Sequence, residues 1–232
     1  MARIHLPLSS LLFGVLTLAS YSSFAGKTDG KLSGRIVFSG KMKAPEKITP
    51  TTDTSICGLQ DLVDESLVVD ANTSGLASVV VWVPKSKRAK SKNPSVLLDN
   101  YRCRYEPHVL ILHTDQKLKV RNRDRFLHTT QALLGKKSKF NLALPTRNQV
   151  TQKKLSKPGF YSIHCDVHDW MKAWVAVFKT EVAGLSSKSG EFILEGLPTG
   201  KQKLELWHET LGRKTIDVTI EKSPKKPIEI KW

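Results

Sequence analysis

The stretch "GFYSIHCDVHDWMKAWVAVF", residues Gly159 to Phe178, decides how the middle of this chain is read. Its two ends are apolar and rich in β-branched and aromatic residues, the composition of strands. Between them lie Cys165, His168 and Met171, three soft or borderline metal ligands spaced three residues apart. Two strands joined by such a loop put the thiolate where the first strand ends. The imidazole follows a short turn later, and the thioether sits where the second strand begins. With only three cysteines and three methionines in 232 residues, this concentration asks for a chemical reason.

Zinc and haem fit poorly. A structural zinc site takes four ligands, commonly as two close pairs, and no second Cys or His pair of that kind occurs. A c-type haem needs Cys-x-x-Cys-His, which is absent. A blue-copper site needs two imidazoles and a thiolate in a plane, with a distant thioether. Cys165, His168 and Met171 supply three of the four, so one imidazole must come from upstream. The stretch "LKVRNRDRFLHTT", Leu118 to Thr130, provides it: a strand leads into Asn122 and Asp124, and His128 follows. His164 is a weaker candidate. Adjacent strand residues face opposite sides, so it points away if Cys165 points inward, and it reads as a surface histidine.

On these residues the segment 95–180 resembles the cupredoxin family. Val120, Asn122, Asp124 and His128 match the context of that family's upstream ligand, and the Cys-x2-His-x2-Met loop is similar to the short ligand loop of amicyanin. The resemblance extends to exported proteins described as cupredoxin-like or as methylamine-utilisation proteins. It implies one mononuclear copper ion held by His128, Cys165, His168 and Met171. One position departs from the pattern. Thr129 stands where the family has an Asn that ties the two ligand loops together, and its shorter side chain predicts a looser tie.

The first 25 residues carry one positive charge at Arg3, an apolar run and a small-x-small ending at Ala25, the pattern of a secretory signal peptide. The apolar run is short for a membrane span, so a periplasmic or secreted protein with no transmembrane anchor after cleavage is expected. In an oxidising compartment an odd cysteine count leaves one over. Cys57 and Cys103 make the economical disulfide, with Cys165 free for a metal; two free buried thiols are the open alternative. The formal charge of +16 raises a nucleic-acid reading, which export and the lack of interleaved aromatics argue against. A redox protein partner with an acidic docking face, or an anionic membrane, suits that charge better.

Short alternating or apolar runs punctuated by turns fill the rest of the chain, and no convincing helical period occurs, so the fold class is all-β. The piece "SGEFILEGLPTGKQKLELWHETLG", from Ser189, matches the hairpin of a carboxypeptidase regulatory-like, transthyretin-like sandwich through Gly190, Phe192, Leu197, Pro198, Gly200 and Leu204. The opening pieces, Leu32 to Ser39 and Leu76 to Val83, match it loosely. The expected architecture is a cupredoxin-like Greek-key sandwich combined with a small transthyretin-like β-sandwich. Residues 26–94 form an N-terminal β segment and 181–232 a C-terminal one. Either the two make one sandwich interrupted by the segment 95–180, or consecutive domains follow one another.

The remaining histidines and aromatics carry less. His108 and His113 read as half-buried residues at the ends of one strand, and His208 lies beside a core Trp207. Phe160, Trp170 and Trp174 read as packing around the ligand site, with Trp170 limiting solvent access. No Gly-x-Ser-x-Gly, His-Glu-x2-His or phosphate-binding glycine loop occurs, so a non-enzymatic protein is expected. The favoured function is a one-electron carrier with type 1 copper. The alternative is an envelope binding or structural sandwich in which copper is weakly bound, chaperoned or absent.

Overall fold

The computed structural model describes Met1, residues 28–224 and residues 226–232; the leader pattern otherwise falls outside the described residues. The chain opens with β1 (Gly30–Val37), a helical turn α1 (Thr54–Cys57) and β2 (Val80–Val83). Nine strands follow: β3 (Ser95–Tyr101), β4 (Arg104–Glu106), β5 (Val109–His113), β6 (Lys117–Asn122), β7 (His128–Leu134), β8 (Lys137–Leu144), β9 (Val150–Lys153), β10 (Gly159–His164) and β11 (Lys172–Phe178). The last five are β12 (Val182–Leu185), β13 (Glu191–Leu197), β14 (Gly200–His208), β15 (Gly212–Ile220) and β16 (Ile228–Lys231). The all-β class read from the sequence is the class the chain adopts. No described helix is long and apolar enough to cross a membrane.

The strands form two sandwiches. In the first, a sheet ordered β4-β3-β6-β9 faces one ordered β5-β11-β10-β7-β8. Their shared core holds Leu98, Leu118 and Val120 from one sheet and Ala132, Ile163, Val175 and Val177 from the other. In the second, the order β13-β1-β16 faces β12-β2-β14-β15 around Leu32, Ile36, Val81, Phe192, Leu204 and Leu206. Thus β1 pairs with β13 and β16, and β2 pairs with β12 and β14. Strands from both ends of the chain share sheets, and β3 to β11 lie between them in sequence. Residues 38–78 are less strand-like than the sequence suggests: beyond α1 they hold only isolated bridges such as Lys47 to Val63.

A third apolar cluster joins the sandwiches, and it corrects part of the sequence reading. Phe160 and Trp174 pack with Trp82, Phe178 and Trp207 between the sandwiches, not around the ligand loop. The reason is strand alternation. On β11, Ala173, Val175 and Val177 face the first core, while Trp174, Ala176 and Phe178 face the second sandwich. With both faces covered, "AWVAVF" reads as an unbroken apolar run. The same holds for β2, where Val81 and Val83 face one core and Val80 and Trp82 the other. At the edge of this interface Glu209 accepts a hydrogen bond from Trp174 Nε1 at 2.8 Å and pairs with His108.

One close approach explains a glycine of the hairpin signature. Gly190 has φ +82°, and a Cβ there would lie 2.2 Å from the Ile36 carbonyl oxygen. Only glycine accepts both the backbone angle and the contact. The Gly190 carbonyl accepts from Ile36 N–H at 2.8 Å, which fixes β1 against the hairpin. Because β13 needs β1 and β14 needs β2, the fragment Gly184–Trp232 expressed alone lacks two central strands. It is expected to show no cooperative thermal transition by circular dichroism. A sharp melt from that fragment would mean the C-terminal strands are a self-sufficient unit.

Candidate metal centre

The ligand loop lies where the sequence places it, between the end of β10 and the start of β11. Two main-chain bonds close it: Cys165 N–H donates to the Met171 carbonyl at 3.3 Å and Met171 N–H to the His168 carbonyl at 3.0 Å. His128 opens β7, beside β10, because Ile163 pairs with Ala132 and His164 with Gln131. As a result His128, Cys165 and His168 each place one ligand atom within 4.8 Å of the other two. The Cys165 Sγ is 3.5 Å from His168 Nδ1. His128 and His168 are fully buried and Met171 is 1% exposed, so the donors are shielded from water. His164 lies on the opposite side of β10 from Cys165, in the alternation of a strand.

The upstream motif has a local logic. Asn122 donates from Nδ2 to the carbonyls of Phe126, at 2.7 Å, and Leu144, at 2.8 Å, and its Oδ1 accepts from Asp124 N–H at 2.9 Å. This side chain folds the loop back on itself, a turn asparagine makes by competing for main-chain partners. Asp124 is thereby aimed at His128, accepting from Nε2 at 2.9 Å, and it also accepts the main-chain N–H groups of Arg102 and Cys103. Burial raises the Asp124 carboxyl, but those hydrogen bonds outweigh it and hold the group below its ordinary range. With Nε2 engaged, His128 Nδ1 is left buried with no hydrogen-bond partner.

His168 is held in the same manner from a distant part of the chain. Asp53, which caps α1, lies 2.9 Å from His168 Nε2 across a sequence separation of 115. The segment carrying it is anchored by a disulfide between Cys57 and Cys103, 46 residues apart, and Cys165 is the free cysteine. Phe126 packs against both imidazoles, with ring centres 4.9 Å from His128 and 5.6 Å from His168. Trp170 covers His168 at 5.1 Å and donates from its indole to the Cys103 carbonyl at 2.9 Å. The sequence pointed to Trp170 as a cover, but it assigned no role to Asp53, Phe126 or the Asp124 carboxylate. For Asp124 the signal was present in the motif around His128; for Asp53 there was none.

Thr129 performs the tie that its size argued against. Its hydroxyl accepts from Asp166 N–H at 2.7 Å, which joins the two ligand loops directly. Both its main-chain N–H, at 3.4 Å, and its hydroxyl, at 3.7 Å, approach the Cys165 sulfur. The short side chain suffices because β7 and β10 are adjacent strands, so little distance has to be bridged. Burial pushes the Cys165 thiol up, yet the neighbouring His128 and His168 imidazoles and the Thr129 and Val167 N–H groups bring it down to about 5. A thiolate is the ligand form of cysteine.

The donor set suits a soft or borderline metal such as copper: a thiolate and two imidazoles brought together, with the buried Met171 closing the same loop. No protein-family model matches the chain, and no curated protein matches it in sequence. Among solved structures, an amicyanin variant in the Cu(I) state is similar at 20% identity with a TM-score of 0.33, covering 42% of this chain and 98% of its own. A reduced form of another amicyanin variant gives 21% identity and 0.33 over the same shares. A copper-containing nitrite reductase from Thermus scotoductus SA-01 gives 18% identity and 0.32, covering 41% of this chain; the match spans 24% of that enzyme.

The thiol provides the test of this electrostatic arrangement. In metal-free protein the thiolate ultraviolet absorbance is expected to titrate with a midpoint near 5. His128→Ala removes a stabilising partner of the anion, so the midpoint is expected to move up, toward the ordinary thiol range of about 8.5. A wild-type midpoint already in that range would contradict the hydrogen-bonded arrangement.

Proposed function

We propose that this chain binds one copper ion through His128, Cys165 and His168, with Met171 as the fourth donor, and carries electrons one at a time to and from a redox protein partner outside the cytoplasm. The observation that carries the reading is the buried, unpartnered Nδ1 of His128. A buried nitrogen without a partner is costly to maintain, and His128 places a ligand atom within 4.8 Å of the Cys165 sulfur and of a ligand atom of His168. Bound there, copper supplies a Cu(II)/Cu(I) couple.

The protein's part is to hold still. Asp124 and Asp53 fix the two ring orientations, Thr129 ties the loops, and Phe126 and Trp170 keep water from the imidazoles. Donors fixed from behind keep their places when the charge at the site changes, and a small rearrangement favours fast transfer. Export is supported by the leader pattern and by the disulfide, which persists in oxidising compartments.

Around the ligands, Arg102, Arg123, Arg125, Arg147 and Lys172 are mixed with Asp53, Asp124, Asp166 and Asp169, so the protein's excess positive charge is not concentrated there. A redox partner approaching this end meets a surface of both signs, and an acidic docking face on that partner suits the chain's formal charge of +16.

Adding Cu(II) to the metal-free protein is expected to produce an intense thiolate-to-copper absorption band. Cys165→Ser should abolish it, because the band needs the copper–sulfur bond. His128→Ala and His168→Ala should weaken binding or admit an external ligand such as imidazole. Met171→Leu should keep the colour and raise the reduction potential, since a weakly bound thioether would favour Cu(II). His164→Ala should leave spectrum and potential unchanged. Tight zinc binding with no coloured copper form, or a requirement for His164 equal to that for His168, would overturn the reading.

A further inference from the structure

The excess positive charge has a definite place. Strands β3, β6, β7, β10 and β11 all run between the ligand end of the first sandwich and its opposite end, as their pairings fix. Three of the connections at the opposite end are rich in lysine. Residues 84–94, between β2 and β3, carry four exposed lysines; the β7–β8 hairpin and the β9–β10 connection carry three each. Lys117 at the start of β6 and Lys179 after β11 complete the set. Acids at this end are few: Asp115, paired with Arg88, and Glu181, which accepts main-chain N–H groups of Lys179 and Thr180. The lysine ion pairs among the described residues involve Lys31, Lys203 and Lys222, all on the second sandwich.

This basic pole is remote from the ligands. Strand β7 alone, seven residues from His128 to Leu134, spans about 20 Å at roughly 3.3 Å per residue. That is about two screening lengths at physiological salt, so the pole cannot guide a partner onto the metal. Its lysines serve something that binds at the other end.

We propose that this pole is a docking surface for an anionic phospholipid bilayer. The charge is spread over three connections that cap one end of a sandwich, a broad face and not a groove. The cations are lysines, flexible point charges suited to diffuse attraction, whereas arginines, which pair bidentately with fixed carboxylates, predominate at the ligand end. Between Lys139, Lys153, Lys154 and Lys157 lies a depression of about 300 Å³ floored by Phe140, Leu155 and Tyr161, a seat for a lipid phosphate. Docked this way, the protein presents its ligand end to the aqueous side. The surface itself does not depend on copper.

Sedimentation with vesicles tests the proposal, using the chain from Gly26 onward, without the leader, with and without copper. Binding is expected to phosphatidylcholine vesicles containing one-third phosphatidylglycerol, to be absent from pure phosphatidylcholine, and to vanish at high salt. Lysines near an anionic surface contribute about fivefold each. Reversing Lys136, Lys137 and Lys139 to Glu should therefore weaken binding about a hundredfold or more, and the milder Lys→Gln triple should weaken it less. Reversing the exposed Arg102, Arg125 and Arg147 at the ligand end removes the same charge and should cost far less. Equal losses from the two reversals would show an effect of net charge alone and overturn the proposal. So would retention on heparin without vesicle binding, which would point to a soluble polyanion.

Discussion

The hydrogen bond from His128 Nε2 to Asp124 is the constraint on which the site depends. An imidazole with one nitrogen committed to a carboxylate has its tautomer and ring plane fixed, and its other nitrogen becomes a donor for a metal. Asp124 holds its position because it also accepts two main-chain N–H groups from the turn that carries Cys103. Asn122 in turn holds Asp124. A short run of polar residues between two strands thus sets a buried imidazole close to a buried sulfur.

The second imidazole uses the same device with a partner from the far side of the sequence. Asp53 belongs to the irregular segment after β1, which lies over the ligand end with Cys57, Leu62, Phe126 and Trp170 packed around the disulfide. Thr52 adds a hydrogen bond to the Val167 carbonyl at 3.0 Å. The stretch before β2 is therefore more than a connection between strands of the second sandwich. It closes the ligand-loop end of the first, and it leaves His168 fully buried.

Much of this was legible in the sequence because it was local. Cys165, His168 and Met171 share one loop, and His128 follows a strand with a recognisable turn, so the sequence offered all four as candidates, and the fold brings His128, Cys165 and His168 within 4.8 Å of one another. Strands with a strong apolar signal, such as β5, β10 and β14, were equally readable. Others were not: β9 is polar and mostly exposed, and β4 has three residues. Phe160 and Trp174 were misplaced because an apolar run buried on both faces does not say which face meets which core. Asp53 was invisible because only the fold brings it across 115 residues to His168. Thr129 was judged by side-chain length, when the adjacency of β7 and β10 decides its reach.

The central claim is that the protein orients its metal donors without the metal. Crystal structures of the metal-free and copper-loaded protein test it directly. The rings of His128 and His168 are expected to superpose, each still bonded through Nε2 to Asp124 and Asp53, with Cys165 in the same rotamer and the ion at the centre of the three donors. A metal-free structure in which either imidazole has turned away from Cys165, or a loaded one in which copper binds elsewhere, would contradict the account.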